Sequence, residues 1–205
     1  VARLRLPQTW RFGPDTASLL APLYPSLPFT SARPPRNLTI GSQPIPEYRA
    51  TPVPATGGTA DPRVILTATQ TVRDLIATAT VNTPEESRPL TPADVAVIAP
   101  HVEQAALAAA GLADLPDVFV GTINQAQGLQ REAVVAIHPL LGHHVDESFA
   151  LDLGRLCVAL SRHRAHVTVI IDERSGDLLS DAIREHPEAR TLNVHAQLLD
   201  RLTAA

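Results

Sequence analysis

The strongest constraint on the fold is an alternation of short apolar segments with helix-like segments from residue 94 to residue 205. Four segments are rich in Val, Ile and Ala and have the length of buried strands: 94–100, 117–122, 133–139 and 166–172. The segments between and after them carry apolar residues at helical spacing: 101–112, 148–162, 175–186 and 193–205. Such alternation is typical of a mostly parallel sheet with helices on both faces. The sequence therefore predicts an α/β fold.

The N-terminal part carries a weaker pattern. Residues 14–24 are predicted to form a short helix, because a proline suits the first helical position and leucines follow at helical spacing. Residues 25–62 are rich in Pro, Gly, Ser and Thr, which predicts a partly irregular excursion with a short strand at 47–53. Residues 64–80 again favour a helix. We expect one domain over residues 1–205 that contains the irregular segment.

Composition excludes several classes of function. The net charge of -4 argues against a strongly basic nucleic-acid-binding surface, although a local arginine-lined groove is compatible with it. No apolar run approaches the roughly 18 residues that span a bilayer, so we expect no membrane partner and a cytoplasmic location. All 17 basic residues are arginine. Because the phosphate loop G-x-x-x-x-G-K-[ST] needs a lysine, the chain lacks a Walker A loop of its own.

A polar segment, GTINQAQGLQ at residues 121–130, separates two of the predicted strands. Ligands of parallel sheets bind at the carboxyl ends of strands, and this segment follows such an end. Its glycines permit close backbone approach, and its hydroxyl and N–H groups can bond a phosphate without reading sequence. The segment is therefore a candidate site. The alternative is a tight connection between elements, with Gly128 at its turn.

This segment resembles motif V of superfamily 1 helicases, G-T-V-x-x-x-Q-G-x-E. Further along the chain, RLCVALSRHR at 155–164 resembles motif VI, R-x-N-V-A-x-[ST]-R-A-[RK]. VIAPHVEQ at 97–104 is similar to the family's V-I-[TS]-P-Y-x-x-Q segment, and LPQTWRFGP at 6–14 is similar to its Q-Y-R segment. The four stretches occur in the family's order. The resemblance implies the second, C-terminal RecA-like domain of an Upf1-like helicase. The absence of methionine also suggests a piece of a longer protein.

The resemblance implies a role for several residues at an ATP site shared between two RecA-like domains. Arg162 would be the arginine finger and Arg11 a second phosphate-contacting arginine, because such groups stabilise charge on the transferred phosphate. Trp10 stands where the family has a tyrosine that stacks on adenine. Gln127 would link the nucleic-acid contact to the nucleotide. Gln130 stands where the family has a glutamate that accepts from the ribose hydroxyls.

Each assignment has an ordinary structural alternative. Arg162 could be a surface arginine at a helix end, Arg11 a solvated side chain, and Trp10 a core anchor. Gln130 departs from the family pattern, and its amide oxygen accepts a hydrogen bond more weakly than a carboxylate does. This departure puts nucleotide affinity or selectivity in doubt.

The resemblance also implies contacts with single-stranded DNA or RNA. Thr122 and Gly128 would approach the nucleic-acid backbone, and Pro100 and His101 would line the groove. His101 stands where the family has an aromatic residue, and a histidine at a helix start is its alternative reading. The second implied partner is an N-terminal RecA-like domain of the same polypeptide. That domain would hold ATP and the ligands of Mg²⁺, so the isolated chain is expected to be inactive.

Two further patterns are weaker. VIIDE at 169–173 looks like a Walker B strand, but without a phosphate loop it is predicted to be a core strand followed by an acidic helix start. The histidines fit no common metal-ligand spacing, which predicts no metal site and favours surface loops: His138, His143, His144, His163 and His166. Two other functions stay open. One is a degenerate helicase module that binds proteins, and the other is a nucleotide-binding enzyme unrelated to nucleic acids.

Overall fold

The computed structural model describes residues 7–56, 58–141 and 150–204. The strands, in chain order, are β1 (Gln8–Thr9), β2 (Thr30–Ser31), β3 (Asn37–Ile40), β4 (Gln43–Pro44), β5 (Tyr48–Val53), β6 (Ala79–Asn82), β7 (Ser87–Pro89), β8 (Val95–Ala99), β9 (Phe119–Thr122), β10 (Arg131–Ile137) and β11 (His163–Asp172). The helices are α1 (Pro14–Leu20), α2 (Pro62–Thr78), α3 (Val102–Gly111), α4 (Leu153–Leu160), α5 (Ser175–Glu185) and α6 (Arg190–Thr203). Short 3-10 turns cover Ala21–Leu23 and Pro92–Asp94.

A five-stranded sheet forms the centre of the domain, in the order β5-β11-β10-β8-β9. Every neighbouring pair in it is parallel. The strands β8 and β10 contain almost only buried Val, Ile and Ala, as expected for strands covered on both faces. The predicted α/β, RecA-like fold with a mostly parallel sheet is confirmed.

Helices cover both faces of this sheet. On one face, α2 and α3 pack with Val95 and Val97 of β8 into one hydrophobic core. On the other face, α1, α4, α5 and α6 share a second core with Ala96 and Ile98 of the same strand. Because successive strand residues point to opposite faces, one continuous apolar run serves both cores. Burying a Val or Ile side chain in this way is worth about 1.5–3 kcal/mol.

A smaller antiparallel sheet lies outside this centre, in the order β4-β3-β6-β7. The excursion predicted at 25–62 supplies two of its strands, and it also supplies β5, the edge strand of the main sheet. The strand predicted at 47–53 is therefore present as β5. The rest of the segment is more regular than expected, because β3 pairs with the distant β6 as well as with β4.

Helix boundaries follow local capping chemistry. Asp61 begins α2, where its carboxylate accepts from the backbone N–H of Arg63 at 2.8 Å and of Thr56 at 2.6 Å. The Thr56 N–H is the largest cause that holds the pKa of Asp61 below its usual value. Asp152 begins α4 in the same way, through the N–H groups of Gly154 and Arg155. The helix predicted at 148–162 covers 153–160 here, and its residues 148 and 149 lie outside the described residues.

Within the described ranges, no helix combines the length and the apolar character that crossing a bilayer requires.

Candidate functional site

Arg162 and Gln130 are brought together by two neighbouring parallel strands. Gln130 directly precedes β10, and Arg162 directly precedes β11. The backbone N–H of Arg131 donates to the carbonyl of Arg162 at 3.1 Å. Both residues therefore lie at the amino edge of the sheet. This placement corrects the expectation that the whole 121–130 segment lies at the carboxyl edge.

Trp10 and Arg11 lie at the same amino edge as Gln130. These three residues line one cleft of about 210 Å³, together with Arg36 and Arg164. Trp10 is 70% exposed, so it is not the core anchor that was its alternative role. Arg11 is exposed too, and its backbone N–H donates to the hydroxyl of Thr9 at 3.2 Å. An exposed indole can stack on a flat ring, and the guanidinium groups beside it attract a negatively charged group of the same ligand.

Arg162 is 5% exposed and has no ion pair among the described residues. Its Nη2 donates to the hydroxyl of Ser161 at 2.9 Å, while its buried Nε has no partner in the described part of the chain. Burial lowers the pKa of Arg162, and the positive charge of Arg11 lowers it further. The guanidinium stays protonated all the same, because its pKa starts so high. An unopposed cation in this position favours an incoming anion.

Neighbouring arginines, in contrast, have carboxylate partners. Glu132 pairs with Arg36 at 2.6 Å and with Arg164 at 3.5 Å. Arg33, which is half-buried, pairs with the buried Glu47 at 3.1 Å. Among the described residues at this edge, the charges without a carboxylate partner are therefore those of Arg11, Arg131 and Arg162.

The opposite, carboxyl edge brings together Thr122 and His101. Thr122 pairs with Ala99 in the β8–β9 register, and the N–H of Ile123 donates to the Ala99 carbonyl at 3.0 Å. His101 is half-buried and occupies the N-cap position of α3. Pro100, between them, is buried, so its ring shapes the turn rather than presenting a surface.

The loop after Thr122 is held by its own side chains. The Thr122 hydroxyl donates to Oε1 of Gln125 at 3.1 Å, and the Thr122 N–H donates to the same oxygen at 2.8 Å. Ile123 and Ala126 are buried and fix the loop on the sheet. Gly128 is exposed with a φ of +83°, a conformation that side chains disfavour. The loop therefore presents backbone at Gly128 and a hydroxyl at Thr122 near solvent.

Comparison with known proteins places this geometry in a family. A family model described as AAA domain matches residues 62–174, from the start of α2 to just beyond β11. The chain belongs to this AAA domain family. The match includes Thr122, Gly128, Gln130 and Arg162, and it begins after Trp10 and Arg11. This AAA domain is found in Upf1-like superfamily 1 helicases.

Individual relatives point the same way. The chain is 32% identical over 105 residues to "DNA-binding protein SMUBP-2" of Mesocricetus auratus. It is 31% identical over the same length to the proteins of that name from Rattus norvegicus and Mus musculus. Each match covers 48% of this chain and 11% of the relative. The similarity therefore supports a helicase-type AAA domain, and it spans a small part of the relatives' length.

Gln127 lies apart from the other candidate nucleotide residues of the AAA domain. It is exposed and lines a different cleft, with Asn124, Asp152 and Arg155. The segment from Thr122 to Gln130 crosses from the carboxyl edge of the sheet to the amino edge, because β9 and β10 both run parallel to β8. Gln127 is part-way along that crossing. Its predicted role as a link between the two edges fits this position, and no contact tests it.

Three histidines that were expected on surface loops are buried instead, so that prediction is wrong. His138, His163 and His166 are each at most 2% exposed. His166 bonds the Pro46 carbonyl and the Thr168 hydroxyl, and burial lowers its pKa to about 4. Polar side chains that find a partner can occupy a core, and histidine does so in its neutral form. His143 and His144 lie outside the described residues.

The VIIDE stretch ends β11, as predicted. Asp172 is 3% exposed and accepts from the guanidinium and the backbone N–H of Arg174. Burial raises the pKa of Asp172, but the bonds from Arg174 more than offset this, so the net pKa is lowered. The carboxylate is thus committed to the turn that leads into α5 rather than to a metal ion.

Several residues of the site were missed by sequence reasoning. Glu47, Arg33 and Glu132 balance charge at the amino edge, and Gln125 fixes Thr122. For Gln125 a signal existed, because a polar side chain three residues after a threonine commonly closes a turn. No local signal identified Glu47 or Arg33, since they lie inside the irregular segment and act on distant parts of the chain.

Proposed function

We propose that this chain is the C-terminal motor domain of an ATP-dependent superfamily 1 helicase or translocase. The observation that carries the proposal is an exposed Trp10 beside Arg11 and Gln130 in one cleft, with the unopposed Arg162 nearby. At about 210 Å³ the cleft is smaller than a complete small-molecule site of roughly 300–1,000 Å³. A cleft of this size fits one half of a nucleotide site, and a second domain would supply the other half.

The preceding RecA-like domain of the full-length protein would supply the phosphate loop, the ligands of Mg²⁺ and the catalytic glutamate. The ion, when bound, neutralises charge on the phosphates. Closure of the two domains on ATP would bring Arg11 and Arg162 to the γ-phosphate. There they stabilise the charge that develops during transfer, in a site from which water is excluded. Trp10 would stack on the base, and Gln130 would accept from the ribose.

The opposite edge of the sheet would hold a single strand of DNA or RNA. The backbone at Gly128 can bond a phosphate without reading sequence, and so can the Thr122 hydroxyl once its hydrogen turns away from Oε1 of Gln125. His101 lies beside Thr122 at the same edge. Because the 121–130 segment joins this edge to the nucleotide edge, closure on ATP can change the grip on the strand. Alternation of grip and release would move the nucleic acid.

The Trp10→Ala variant of the full-length protein tests the stacking role. We expect its KM for ATP to rise by about 2- to 10-fold, because an aromatic stacking pair contributes about 0.5–1.5 kcal/mol beyond burial. Since Trp10 is exposed, folding stability should change little. Trp10→Tyr, which restores the family's residue, is the matched control and should keep the wild-type KM. An unchanged KM in Trp10→Ala would remove Trp10 from the site.

A second prediction concerns the carboxyl edge. We expect Thr122→Val to weaken binding of a labelled single strand by about 10- to 150-fold, because one hydrogen bond to a charged phosphate contributes about 1.5–3 kcal/mol. Affinity should also fall with salt. The control is Thr78→Val, an exposed threonine at the end of α2 whose hydroxyl bonds the Asp74 carbonyl. Equal binding by both variants would contradict the assignment, as would salt-independent binding.

One observation favours a second candidate function. Gln130 offers an amide where a carboxylate would accept the ribose hydroxyls more strongly, and this fits a degenerate module that binds proteins without unwinding. The two functions differ in the rest of the polypeptide. An intact phosphate loop in the preceding domain supports the motor, and its absence supports the binding module.

A further inference from the structure

A buried polar network lies directly beneath the Trp10–Arg11 segment. Gly13 and Thr16 form the start of α1, and their backbone N–H groups both donate to the carboxylate of Glu47. Glu47 is 8% exposed and lies just before β5, far away in sequence. The carboxylate thus fixes where α1 begins, and with it the direction of the segment that carries Arg11.

The space around Gly13 shows how tightly this contact is built. A Cβ at position 13 would lie 2.1 Å from Oε1 of Glu47 and 2.5 Å from Nη2 of Arg33. No side chain fits there without breaking the contact. Arg33 in turn balances the buried charge of Glu47, and the two side chains are 10% and 7% exposed. A buried ion pair needs such added hydrogen bonds to compensate for lost hydration.

The same network reaches Arg162 from the other side. The hydroxyl of Thr16 lies 2.8 Å from Nε2 of His163, and both residues are fully buried. His163 is the first residue of β11 and follows Arg162 directly. Burial lowers the pKa of His163 to about 3, so the ring is neutral near physiological pH. One continuous set of contacts therefore joins the backbone near Arg11 to the backbone at Arg162.

We propose that Thr16 and His163 are positioning residues that hold Arg11 and Arg162 in a fixed mutual register for ATP hydrolysis. The proposal rests on the proposed function, in which both arginines meet the γ-phosphate. The two arginines come from distant parts of the sequence, and the described residues contain no direct hydrogen bond between them. The Thr16–His163 bond links the elements that carry them. Displacement of a catalytic group by about 1 Å can cost about 100-fold in rate.

The test is Thr16→Val in the full-length protein, which keeps the side-chain shape and removes the hydroxyl. We expect kcat for nucleic-acid-stimulated ATP hydrolysis to fall by about 10- to 100-fold, because the arginines lose their common register. KM for ATP should stay at the wild-type value, since Trp10 and Gln130 are untouched. Thr16→Ser restores the hydroxyl and should restore kcat. Glu47→Gln loosens the network from its other end and should give the same kcat-selective loss.

Thr69→Val is the matched control, because Thr69 is also buried and its hydroxyl bonds the Ile65 carbonyl within α2. It should lower stability in urea without changing kcat per folded molecule. The proposal is overturned if Thr16→Val and Glu47→Gln keep the wild-type kcat, or if Thr16→Ser fails to restore it. It is also overturned if kcat falls only with the folded fraction, as in the control.

Arg162→Ala in the same assay separates failure of the proposed function from failure of this inference. An active Arg162→Ala refutes the proposed function. An inactive Arg162→Ala beside a fully active Thr16→Val refutes this inference alone.

Discussion

We expect Arg162→Ala in the full-length protein to reduce nucleic-acid-stimulated ATP hydrolysis by about 10³- to 10⁵-fold, the range attributed to arginine fingers. Binding of ATP should be mostly retained, because the preceding domain would hold the phosphates. The physical reason is that the guanidinium acts on charge that develops during phosphoryl transfer, and not on the ground state. Steady-state turnover and equilibrium binding of a fluorescent ATP analogue measure the two effects separately.

Two variants sharpen this test. Arg162→Lys keeps the positive charge but loses the planar fork of donors, so it should recover little of the activity. Arg184→Ala is the control, because Arg184 is an exposed arginine of α5 that pairs with Asp181 on the same helix. It should behave as the wild type. Undiminished turnover in Arg162→Ala would exclude the finger assignment.

The charge pattern at the amino edge explains why Arg162 is the residue to test. Arg33, Arg36 and Arg164 each have a buried carboxylate as a partner. Arg162 has none in the described residues, although it is buried at 5% exposure, whereas the side chains of Arg36 and Arg164 are 27% and 46% exposed. A buried guanidinium without a counter-ion is costly, and a phosphate arriving at the edge would relieve that cost. The same cost would not arise for an ordinary surface arginine.

Much of the fold was predictable because several strands of the main sheet are apolar runs that can be recognised from the local sequence. Buried strands such as β8 and β10 are short apolar runs, and α3 between β8 and β9 has clear helical spacing. The small antiparallel sheet was not predictable in the same way. Its strands are two to four residues long, and they are rich in polar residues and proline. They exist because of pairing between distant segments, which no local period reveals.

The candidate site was likewise predictable where the signal is local in sequence, and not where it depends on the folded chain. Motif spacing in the sequence indicated Arg162, Thr122 and Gly128, but it could not show that the 121–130 segment crosses between opposite edges. That result depends on β9 and β10 both running parallel to β8, which is a property of strand pairing in the folded chain. Glu47 escaped prediction for the same reason. Its partners are at Gly13 and Thr16, so its role exists only in the folded chain.

Acid is expected to destabilise this domain at pH values above the range in which carboxylates titrate. His138, His163 and His166 are buried, and burial lowers their pKa values to about 3, about 3 and about 4. In the unfolded chain each would have a pKa of about 6.5. Below that pH the unfolded state binds protons that the folded state does not bind. Stability is therefore complete above about pH 6.5 and is lost as the pH falls toward the folded pKa values.

The slope of this loss is about 1.4 kcal/mol per pH unit for each histidine, or about 4 kcal/mol per pH unit for the three together. Domains are stable by only about 5–15 kcal/mol, so a loss of about 6 kcal/mol between about pH 6.5 and about pH 5 is a large share of that stability. Carboxylates lose their stabilising contribution in a lower pH range. The pKa of Asp94 is lowered to about 2, so its contribution is lost only below about pH 4, the usual pKa of an aspartate.

Urea unfolding of the chain between about pH 6.5 and about pH 4 measures this slope directly. His138→Gln removes one of the buried histidines with a lowered pKa, which also include His195, and should reduce the slope by about one quarter to one third. Leu141→Ala is the matched control, because Leu141 is fully buried beside that strand end but does not titrate. It should lower stability at every pH by about 2–5 kcal/mol and leave the slope unchanged. Stability that does not change between these pH values would contradict the prediction. Histidines that are neutral in the folded core bind protons only when the chain unfolds, and this must lower stability as the pH falls.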